Sequence, residues 1–224
     1  TVPPADLTGL KDGDASVQVS VTNVNGNIAS AGREYSVDAT APTVTIDTVA
    51  GDNVINSSEA GTGVTISGST TAEVGQTVTV TLGGNSYTAQ VLQGGIWSVN
   101  VPAGDLTAMA DNGYTVQVSV SDAAANTGSA NKAITLDTTP PTVSFNIVAG
   151  DDVINSLEHT QAQIVSGTAT GANVGDKLVI TIGSNQYTTT VDASGNWSVG
   201  VPASVISALT DGTVTISATI TDSA

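Results

Sequence analysis

The sequence contains no cysteine, and only 3% of its 224 residues are aromatic. Without cysteine the chain forms no disulfide and has no thiol nucleophile, so we expect its core to be held by packing alone. The sequence also lacks a run of about 18 apolar residues, the minimum that predicts a transmembrane helix, and no signal peptide is recognisable in it. We therefore expect no membrane insertion in this segment.

Basic residues are scarce as well. The chain has 4 Lys and Arg residues against 20 Asp and Glu residues, which gives a formal net charge of −16 at pH 7. Nucleic acids and anionic membranes are bound through basic patches, so the composition argues against both as partners. An acidic surface attracts cations, but it also simply keeps a secreted protein soluble, and the composition alone leaves both interpretations open.

Groups that carry out catalysis are missing too. The single histidine, His159, occupies the position that Ala60 has in the preceding repeat. No Ser/His/Asp order and no phosphate-binding loop is present. Paired carboxylates do occur, but they recur at every junction, as a structural element does. We therefore predict that the protein is not an enzyme.

Self-similarity is what the sequence does contain. "APTVTIDTVAGDNVINSSEA" (41–60) matches "PPTVSFNIVAGDDVINSLEH" (140–159), and "VPPADLTGLKDGDASVQVSVTN" (2–23) matches "VPAGDLTAMADNGYTVQVSVSD" (101–122). The offset is 99 residues, rising to 100 after an insertion near residue 171. Such a period indicates tandem domains. We divide the chain into the C-terminal part of one repeat (1–38), a complete repeat (41–137) and a repeat that lacks its last strand (140–224), and we expect the native polypeptide to continue in both directions.

Each repeat alternates apolar and polar residues in short segments separated by turn residues. The pattern places Trp97, Tyr87, their counterparts Trp197 and Tyr187, and the valines of their neighbouring strands in the core. No helical period is present, and 103–113 forms at most one turn. We predict an all-β fold of tandem immunoglobulin-like β-sandwich domains, each of about seven strands, arranged end to end as a rod. In the complete repeat the strands are expected near 43–47, 63–68, 77–83, 86–92, 96–101, 114–121 and 132–136.

The acidic residues are clustered. The stretch "AGDNVINSSEA" (50–60) recurs as "AGDDVINSLEH" (149–159), and the linkers "DATAP" (38–42) and "DTTPP" (137–141) each begin with Asp. The strand order places these acids at the ends of the domains, close to the linkers. Carboxylates about 5 Å apart repel each other by roughly 1–3 kcal/mol per pair. Calcium relieves that repulsion, because it binds about six to eight oxygen ligands from Asp, Glu, Asn and backbone carbonyls.

We therefore predict Ca²⁺ at the linkers, held by acids of both adjoining domains. The candidate ligands are Asp12, Asp14, Asp38 and Asp122 at 38–42, and Asp52, Asp111, Asp137 and Asp222 at 137–141. Candidates for further sites within the domains are Asn53, Asn56 and Glu59, and Asp151, Asp152, Asn155 and Glu158. The alternative is that these residues form turns, since Asp and Asn side chains bond their own backbone. Turns alone do not require Glu59 or Glu158, which favours calcium.

The motifs "DTTPPTV", "AGDNVIN" and "AGDDVIN", "GNWSVGVP" and "VSVSDAAAN" occur in a fixed order with near-100-residue spacing. In these motifs the whole chain resembles the tandem bacterial Ig-like domains of giant type I-secreted adhesins of Gram-negative bacteria. The resemblance implies a rod of many such domains, secreted to and anchored at the bacterial cell surface, with Ca²⁺ held in and between them. The chain departs from the pattern at Asn23 and Asn146, where the neighbouring repeats have Asp122 and Asp47.

We interpret the chain as a calcium-stiffened spacer of a large cell-surface adhesin involved in adhesion to host cells or biofilm surfaces, and hence in virulence. Its expected partners are the neighbouring repeats of the same polypeptide and, through other parts of the parent protein, a host-cell or matrix surface. The alternative is a ligand- or glycan-binding module in which Trp97 and Trp197 stack on sugars. Both tryptophans share a strand face with core valines, which favours burial instead.

Overall fold

The computed structural model describes residues 9–222, which form β strands joined by turns and a few short helices. The chain divides between Leu136 and Asp137 into two compact units. No helix among the described residues is long and apolar enough to cross a membrane. The predicted all-β fold class is confirmed, whereas the division into 1–38, 41–137 and 140–224 stays a prediction.

The first unit contains a hairpin and a seven-stranded sandwich. The hairpin consists of β1 (Gly13–Thr22) and β2 (Ile28–Val37), which pair along their whole length. The two sheets of the sandwich have the strand orders β3-β9-β8-β5-β6 and β4-β7, so β9 lies between β3 and β8. In chain order the sandwich contains β3 (Val54–Asn56), α1 (Ser57–Thr62), β4 (Val64–Ser69), β5 (Thr77–Leu82), β6 (Asn85–Gln90), β7 (Ile96–Val101), α2 (Ala103–Thr107), β8 (Asn112–Ser121) and β9 (Thr127–Asp137).

The alternation of apolar and polar residues decides which face of each strand turns inward. Val116, Val118 and Val120 of β8 are at most 2% exposed, and Trp97 of β7 is 1% exposed in the same core. Apolar burial stabilises by about 25 cal/mol per Å², so this packing holds the sandwich without a disulfide. The predicted inward orientation of these residues is confirmed, whereas Tyr87 is only half-buried and packs against the edge of the core.

A glycine stands in β4 where the backbone comes closest to Trp97. A Cβ added at Gly68 would lie 2.6 Å from Trp97 Cζ2 and closer still to the backbone oxygen of Thr45. The same crowding surrounds Gly167, whose added Cβ would meet Trp197 Cζ2 at 2.8 Å. A side chain at either glycine would therefore displace the tryptophan or the neighbouring backbone.

The second unit repeats the arrangement, but its counterpart of the five-stranded sheet has three strands within residues 9–222, two fewer than in the first unit. Its sheets have the orders β10-β11-β14 and β13-β12-β15, and among the described residues β15 pairs with β12 alone. Trp197 is 3% exposed, and the ring of Phe145 meets it edge-on at a centroid distance of 5.3 Å. The elements are β10 (Thr142–Phe145), a 3₁₀ turn (Glu158–Thr160), β11 (Gln163–Thr170), β12 (Lys177–Ile182), β13 (Asn185–Thr190), β14 (Asn196–Val201), α3 (Ala203–Ile206) and β15 (Ile216–Thr221).

The strand predicted at 43–47 is reduced in the first unit to an isolated bridge between Val44 and Thr70. The backbone N–H groups of Thr45 and Asp47 still donate to β4, so this segment runs along the edge of the smaller sheet. In the second unit the equivalent segment is a regular strand, β10. The predicted strand at 43–47 is therefore not a regular strand in the complete repeat, although its backbone is bonded to β4.

The sequence shows no helical period, yet a short helix begins within 50–60. Residues 54–56 form β3, and Ser57–Thr62 form α1. A helix of 6 residues is too short to show a hydrophobic period. Its sequence signal was the cap, an Asn followed three residues later by a Glu.

Candidate functional site

The first linker, 38–42, follows directly from β2, and Asp12 beside β1 binds its first residues. One carboxylate oxygen of Asp12 accepts from the backbone N–H of Ala39 at 2.8 Å, and the other accepts from the hydroxyl of Thr40. These two hydrogen bonds hold the pKa of Asp12 below its usual range. The bond from the Thr40 hydroxyl has the larger effect, and the bond from the Ala39 backbone N–H has the smaller one. Asp12 therefore keeps its negative charge beside the linker at neutral pH.

Asp38 and Asp122 converge on a single amide at this linker. Nδ2 of Asn126 lies 3.4 Å from Oδ1 of Asp38, 3.2 Å from the backbone oxygen of Asp38 and 3.0 Å from Oδ2 of Asp122. Asp122 is only 8% exposed, and its Oδ1 accepts from the backbone N–H of Asn126 at 2.8 Å. The structure thus brings together two of the four acids predicted here. The residue that joins them, Asn126, was not among the predicted ligands.

Two other acids near this linker are Asp14, which was predicted as a ligand, and Glu73, which was not. Asp14 lies in β1 opposite Ser36, is exposed, and is not part of the Asn126 bridge. Glu73, which was not predicted, accepts from the backbone N–H of Ala123 at 3.0 Å, directly after Asp122. The loops that carry Glu73 and Asp122 lie at the same end of the sandwich. The strand order alone could therefore have indicated that Glu73 lies near Asp122.

The equivalent end of the second unit has a carboxylate and an amide in exchanged positions. Asn173 stands at the position of Glu73, and Asp176 at the position of Gln76. Nδ2 of Asn173 donates to Asp222 at 3.3 Å, and Oδ2 of Asp176, a residue only 3% exposed, accepts from the backbone N–H of Asn173 at 2.6 Å. Each repeat therefore has a carboxylate near a predicted ligand that was not itself predicted. In the first repeat this is Glu73, next to Asp122. In the second it is Asp176, in the loop that contacts Asp222.

The four acids predicted for the second linker are divided between the units. Asp52 and Asp111 belong to the first unit, and Asp137 and Asp222 to the second. Oδ1 of Asp52 accepts from the backbone N–H of Val54 at 2.8 Å, and Oδ1 of Asp137 accepts from that of Thr139 at 3.3 Å. Their joint role as calcium ligands stays a prediction.

Two of the predicted ligands in 50–60, Asn56 and Glu59, form a helix cap. Oδ1 of Asn56 accepts from the backbone N–H groups of Ser58 and Glu59 at 2.9 and 3.0 Å. In return, Oε2 of Glu59 accepts from the backbone N–H of Asn56 at 3.1 Å, which completes a capping box. Oδ1 of Asn53 accepts from the backbone N–H of Val49 at 3.1 Å. The argument that backbone structure does not require Glu59 was therefore wrong, because the cap uses it.

The same local bonds recur in the second unit. Oδ1 of Asn155 accepts from the backbone N–H groups of Leu157 and Glu158 at 2.9 and 3.1 Å, and Oε2 of Glu158 accepts from that of Asn155 at 3.0 Å. Asp151 and Asp152 accept backbone N–H groups at 3.0 and 2.9 Å. Turn and cap chemistry thus accounts for the recurrence of this segment, and its residues stay predicted ligands only.

The first linker fits calcium in the kind of donor it offers. Asp38 and Asp122 provide carboxylate oxygens, the hard ligands that Ca²⁺ prefers, and each keeps acceptor capacity beyond the bonds it makes. Among residues 9–222, however, no three acidic or histidine side chains lie close enough together to hold a metal ion. Backbone oxygens or water would therefore have to complete a calcium shell at this linker.

Comparisons with known proteins indicate the family of the chain. Residues 39–138 match the model of a family described as bacterial Ig-like domain. A structure of a 1.5-MDa bacterial ice-binding adhesin is 33% identical over 96% of this chain and 74% of its own, with a TM-score of 0.45. A Ca²⁺-stabilized adhesin of an Antarctic bacterium is 35% identical over 93% and 56%, with a TM-score of 0.43. A single Ig-like domain of the M. primoryensis ice-binding adhesin is 40% identical over 45% of this chain and 100% of its own, with a TM-score of 0.36. A search of curated proteins found no match.

Proposed function

Since this chain belongs to the family of bacterial Ig-like domains, we propose that it is a spacer segment of a large bacterial cell-surface adhesin whose linkers are stiffened by Ca²⁺. Its similarity in sequence to repeats of large bacterial adhesins supports the spacer role. One of those relatives is described as Ca²⁺-stabilized. In this proposal the adhesive contact to a host-cell, matrix or biofilm surface belongs to other parts of the parent protein.

The observation that carries the calcium proposal is the convergence of Asp38 and Asp122 on Asn126. One neutral amide does not cancel two negative charges, so the linker retains an attraction for cations. Asp12 adds a third charge through its bonds to Ala39 and Thr40. A bound Ca²⁺ would join the linker carboxylate to the loop carboxylate and so restrict the linker.

No observation favours the glycan-binding alternative. Stacking on a sugar requires an exposed aromatic face, but Trp97 and Trp197 are 1% and 3% exposed. Their indole nitrogens also lie inside the cores, where no hydrogen-bond partner reaches them. Both tryptophans therefore act in packing.

Calorimetric titration with Ca²⁺ tests the proposal, with Asp38→Asn as the test variant and Glu34→Gln, at an exposed position of β2, as its control. Both substitutions remove one charge, but only Asp38 contacts Asn126. We expect Asp38→Asn to remove one binding event and Glu34→Gln to leave it. At about 1–2 mM calcium and a Kd near 10⁻⁴ M, each site would add roughly 1.5 kcal/mol of stability.

Small-angle scattering with calcium and then with chelator tests the stiffening itself. We expect the chelated chain to show a shorter maximum dimension or a broader distance distribution. Asp38→Asn should reproduce part of that change without chelator. Identical scattering profiles and melting temperatures with and without calcium would contradict the proposal and leave the acids as turn formers and solubilising charge.

A further inference from the structure

The dipeptide Asn-Gly occurs twice in the sequence, as Asn25 with Gly26 and as Asn112 with Gly113. At such a dipeptide the backbone nitrogen of the glycine can attack the asparagine side chain, because glycine has no Cβ to hinder the approach. The first pair lies in the turn between β1 and β2, and the second pair begins β8. All four residues are exposed. Local geometry, rather than access of water, therefore distinguishes the two pairs.

The side chain of Asn112 is folded onto the backbone nitrogen that follows it. The backbone N–H of Gly113 donates to Oδ1 of Asn112 at 2.8 Å. This bond closes a small ring that contains the carboxamide carbon Cγ, so the Gly113 nitrogen and Cγ lie beside each other. These are the two atoms that a cyclisation would join, and holding reacting atoms together lowers the barrier to their reaction.

The nitrogen of Gly113 points away from the ladder that pairs β8 with β9. Opposed residues of antiparallel strands alternate between pairs that exchange hydrogen bonds and pairs that do not. Gly113 faces Thr135, whose backbone N–H is directed to the other side of β9 and donates to the oxygen of Asn53 at 2.9 Å. Gly113 therefore belongs to a pair without exchanged bonds, and its N–H is directed to the β5 side. Among the described residues, β5 pairs with β8 from Gln117 to Val120, so Gly113 lies beyond the end of that pairing.

The nitrogen of the other Asn-Gly pair is held by its turn. The backbone N–H of Gly26 donates to the backbone oxygen of Asn23 at 3.0 Å. The backbone N–H of Asn25 donates to Oδ1 of Asn23, also at 3.0 Å. To attack the side chain of Asn25, the Gly26 nitrogen would have to leave its bond across the turn. The fold thus protects one Asn-Gly pair and leaves the other prepared for reaction.

We propose that Asn112 is a site of spontaneous deamidation in the folded protein, with water as the other reactant. The nitrogen of Gly113 loses its proton and attacks Cγ of Asn112. The N–Cγ bond forms, the Cγ–Nδ2 bond breaks, and the amide group leaves with a proton as ammonia. Water then opens the cyclic imide. Cleavage of the new N–Cγ bond gives aspartate, and cleavage of the original peptide bond gives isoaspartate.

Either product adds one negative charge directly after Asp111. Aspartate leaves the backbone unchanged. Isoaspartate lengthens it by one carbon at the residue that faces Leu136, and because Asn112 is the first residue of β8, the disturbance falls on the end of that strand. The other two repeats have glycine at this position, Gly13 and Gly212, which have no amide to lose. The reaction therefore changes the charge of the complete repeat alone.

Peptide mapping by mass spectrometry tests the proposal during incubation at mildly alkaline pH, which favours loss of the proton from the attacking nitrogen. The conversion is read from the mass difference between an amide and an acid, and chromatography separates the aspartate and isoaspartate peptides. In the folded chain we expect Asn112 to convert several-fold faster than Asn25. In urea, which removes both local structures, the two sites should convert at similar rates, because unfolding releases the nitrogen of Gly26.

Equal conversion of Asn112 and Asn25 in the folded chain would overturn the proposal. So would an Asn112 that unfolding accelerates as much as it accelerates Asn25, because the fold would then protect both sites alike.

Gly113→Ala tests the route of the reaction. Its methyl group hinders the attack, so we expect conversion at Asn112 to slow several-fold. The fold accommodates the change, since an added Cβ at Gly113 meets no atom within 4 Å and its φ lies outside the left-handed region. An unchanged melting temperature checks this. Asn112→Gly, the residue of the other repeats, is the matched control and should release no ammonia from this site. Conversion at the full wild-type rate in Gly113→Ala would show that the Gly113 nitrogen is not the attacking group.

Discussion

The hairpin β1–β2 and the strand pair β8–β9 have equivalent sequences and the same register, but they differ in what covers them. Gly13 pairs with Val37 in the hairpin, as Asn112 pairs with Leu136 in the sandwich. The difference lies in their apolar faces. In the hairpin Val17, Val19 and Val21 are 53%, 66% and 66% exposed, whereas in the sandwich Val116, Val118 and Val120 are 0%, 2% and 2% exposed.

This contrast distinguishes what the local sequence pattern determines from what tertiary contacts stabilise. The alternation of apolar and polar residues is enough to pair two strands and to put the valines on one face. It does not bury them, because burial needs the facing sheet with Trp97 and the flanking strand β3. The stability of a repeat therefore lies in the contact between its sheets.

The largest expected effect comes from removing the tryptophan that faces β8 and β9. Trp97→Ala should lower the free energy of unfolding by about 3–5 kcal/mol, because a large side chain is removed from a filled core. Urea unfolding followed by circular dichroism measures it. Ile96→Ala, at a neighbouring position that is 53% exposed, should change stability by less than about 0.5 kcal/mol. A loss below about 1 kcal/mol for Trp97→Ala would mean that the sheets do not depend on this contact.

A matched pair of valines tests the comparison directly. Val118→Ala should cost about 2–3 kcal/mol, since it removes buried methyl groups and leaves a cavity. Val19→Ala, at the equivalent position of the hairpin, should cost less than about 0.5 kcal/mol. In a Trp197→Phe background, the fluorescence of Trp97 reports the unfolding of the first unit alone. Equal losses for the two valines would show that the face of the hairpin is covered in solution.

The strand pattern and the fold class were predictable, because the period-two alternation in β5, β7 and β8 follows from the same burial that the structure shows. The order of the repeats also gave the equivalence of β2 with β9. The sequence did not indicate that 43–47 lacks a regular strand in one repeat and forms β10 in the other. That difference depends on edge geometry, which is set by tertiary contacts.

The candidate site was predictable only in part. The placement of loops at the ends of the sandwich predicted that Asp38 and Asp122 lie near each other, and both contact Asn126; their role as calcium ligands stays a prediction. Asn126 was not predicted, because its amide reaches Asp38 through a tertiary contact between residues 88 positions apart, which spacing in the sequence does not show. Glu59 was given to calcium because the capping box was not recognised, although its Asn-x-x-Glu spacing was in the sequence.

The helix cap bears on the same comparison, because α1 follows β3. Strand β9 has β3 as its second neighbour, whereas β2 pairs with β1 alone among the described residues. Asn56→Ala should cost about 1 kcal/mol, since two backbone N–H groups lose their acceptor. Ser57→Ala, at the exposed first position of the helix, is the control. The loss is measured by Trp97 fluorescence in calcium and in chelator. A cap effect is the same in both, and a loss seen only with calcium would instead assign Asn56 to a metal site.

The smallest effect compares the two repeats at high pH. The hydroxyl of Tyr87 donates to Oδ2 of Asp105 at 2.7 Å, and burial, followed by this carboxylate, raises the pKa of Tyr87 from 10.0 to about 12. Between those values the unfolded chain releases the phenol proton while the folded chain keeps it. The stability of the first unit should therefore fall as pH rises from about 10 to about 12, and the contribution is fully present below pH 10. Tyr87→Phe should flatten that part of the curve. Tyr187→Phe is the matched control, because Val205 stands where the first repeat has Asp105. Denaturant unfolding of the first unit across this pH range measures the slope, and an unchanged slope in Tyr87→Phe would show that the Asp105 contact does not form in solution.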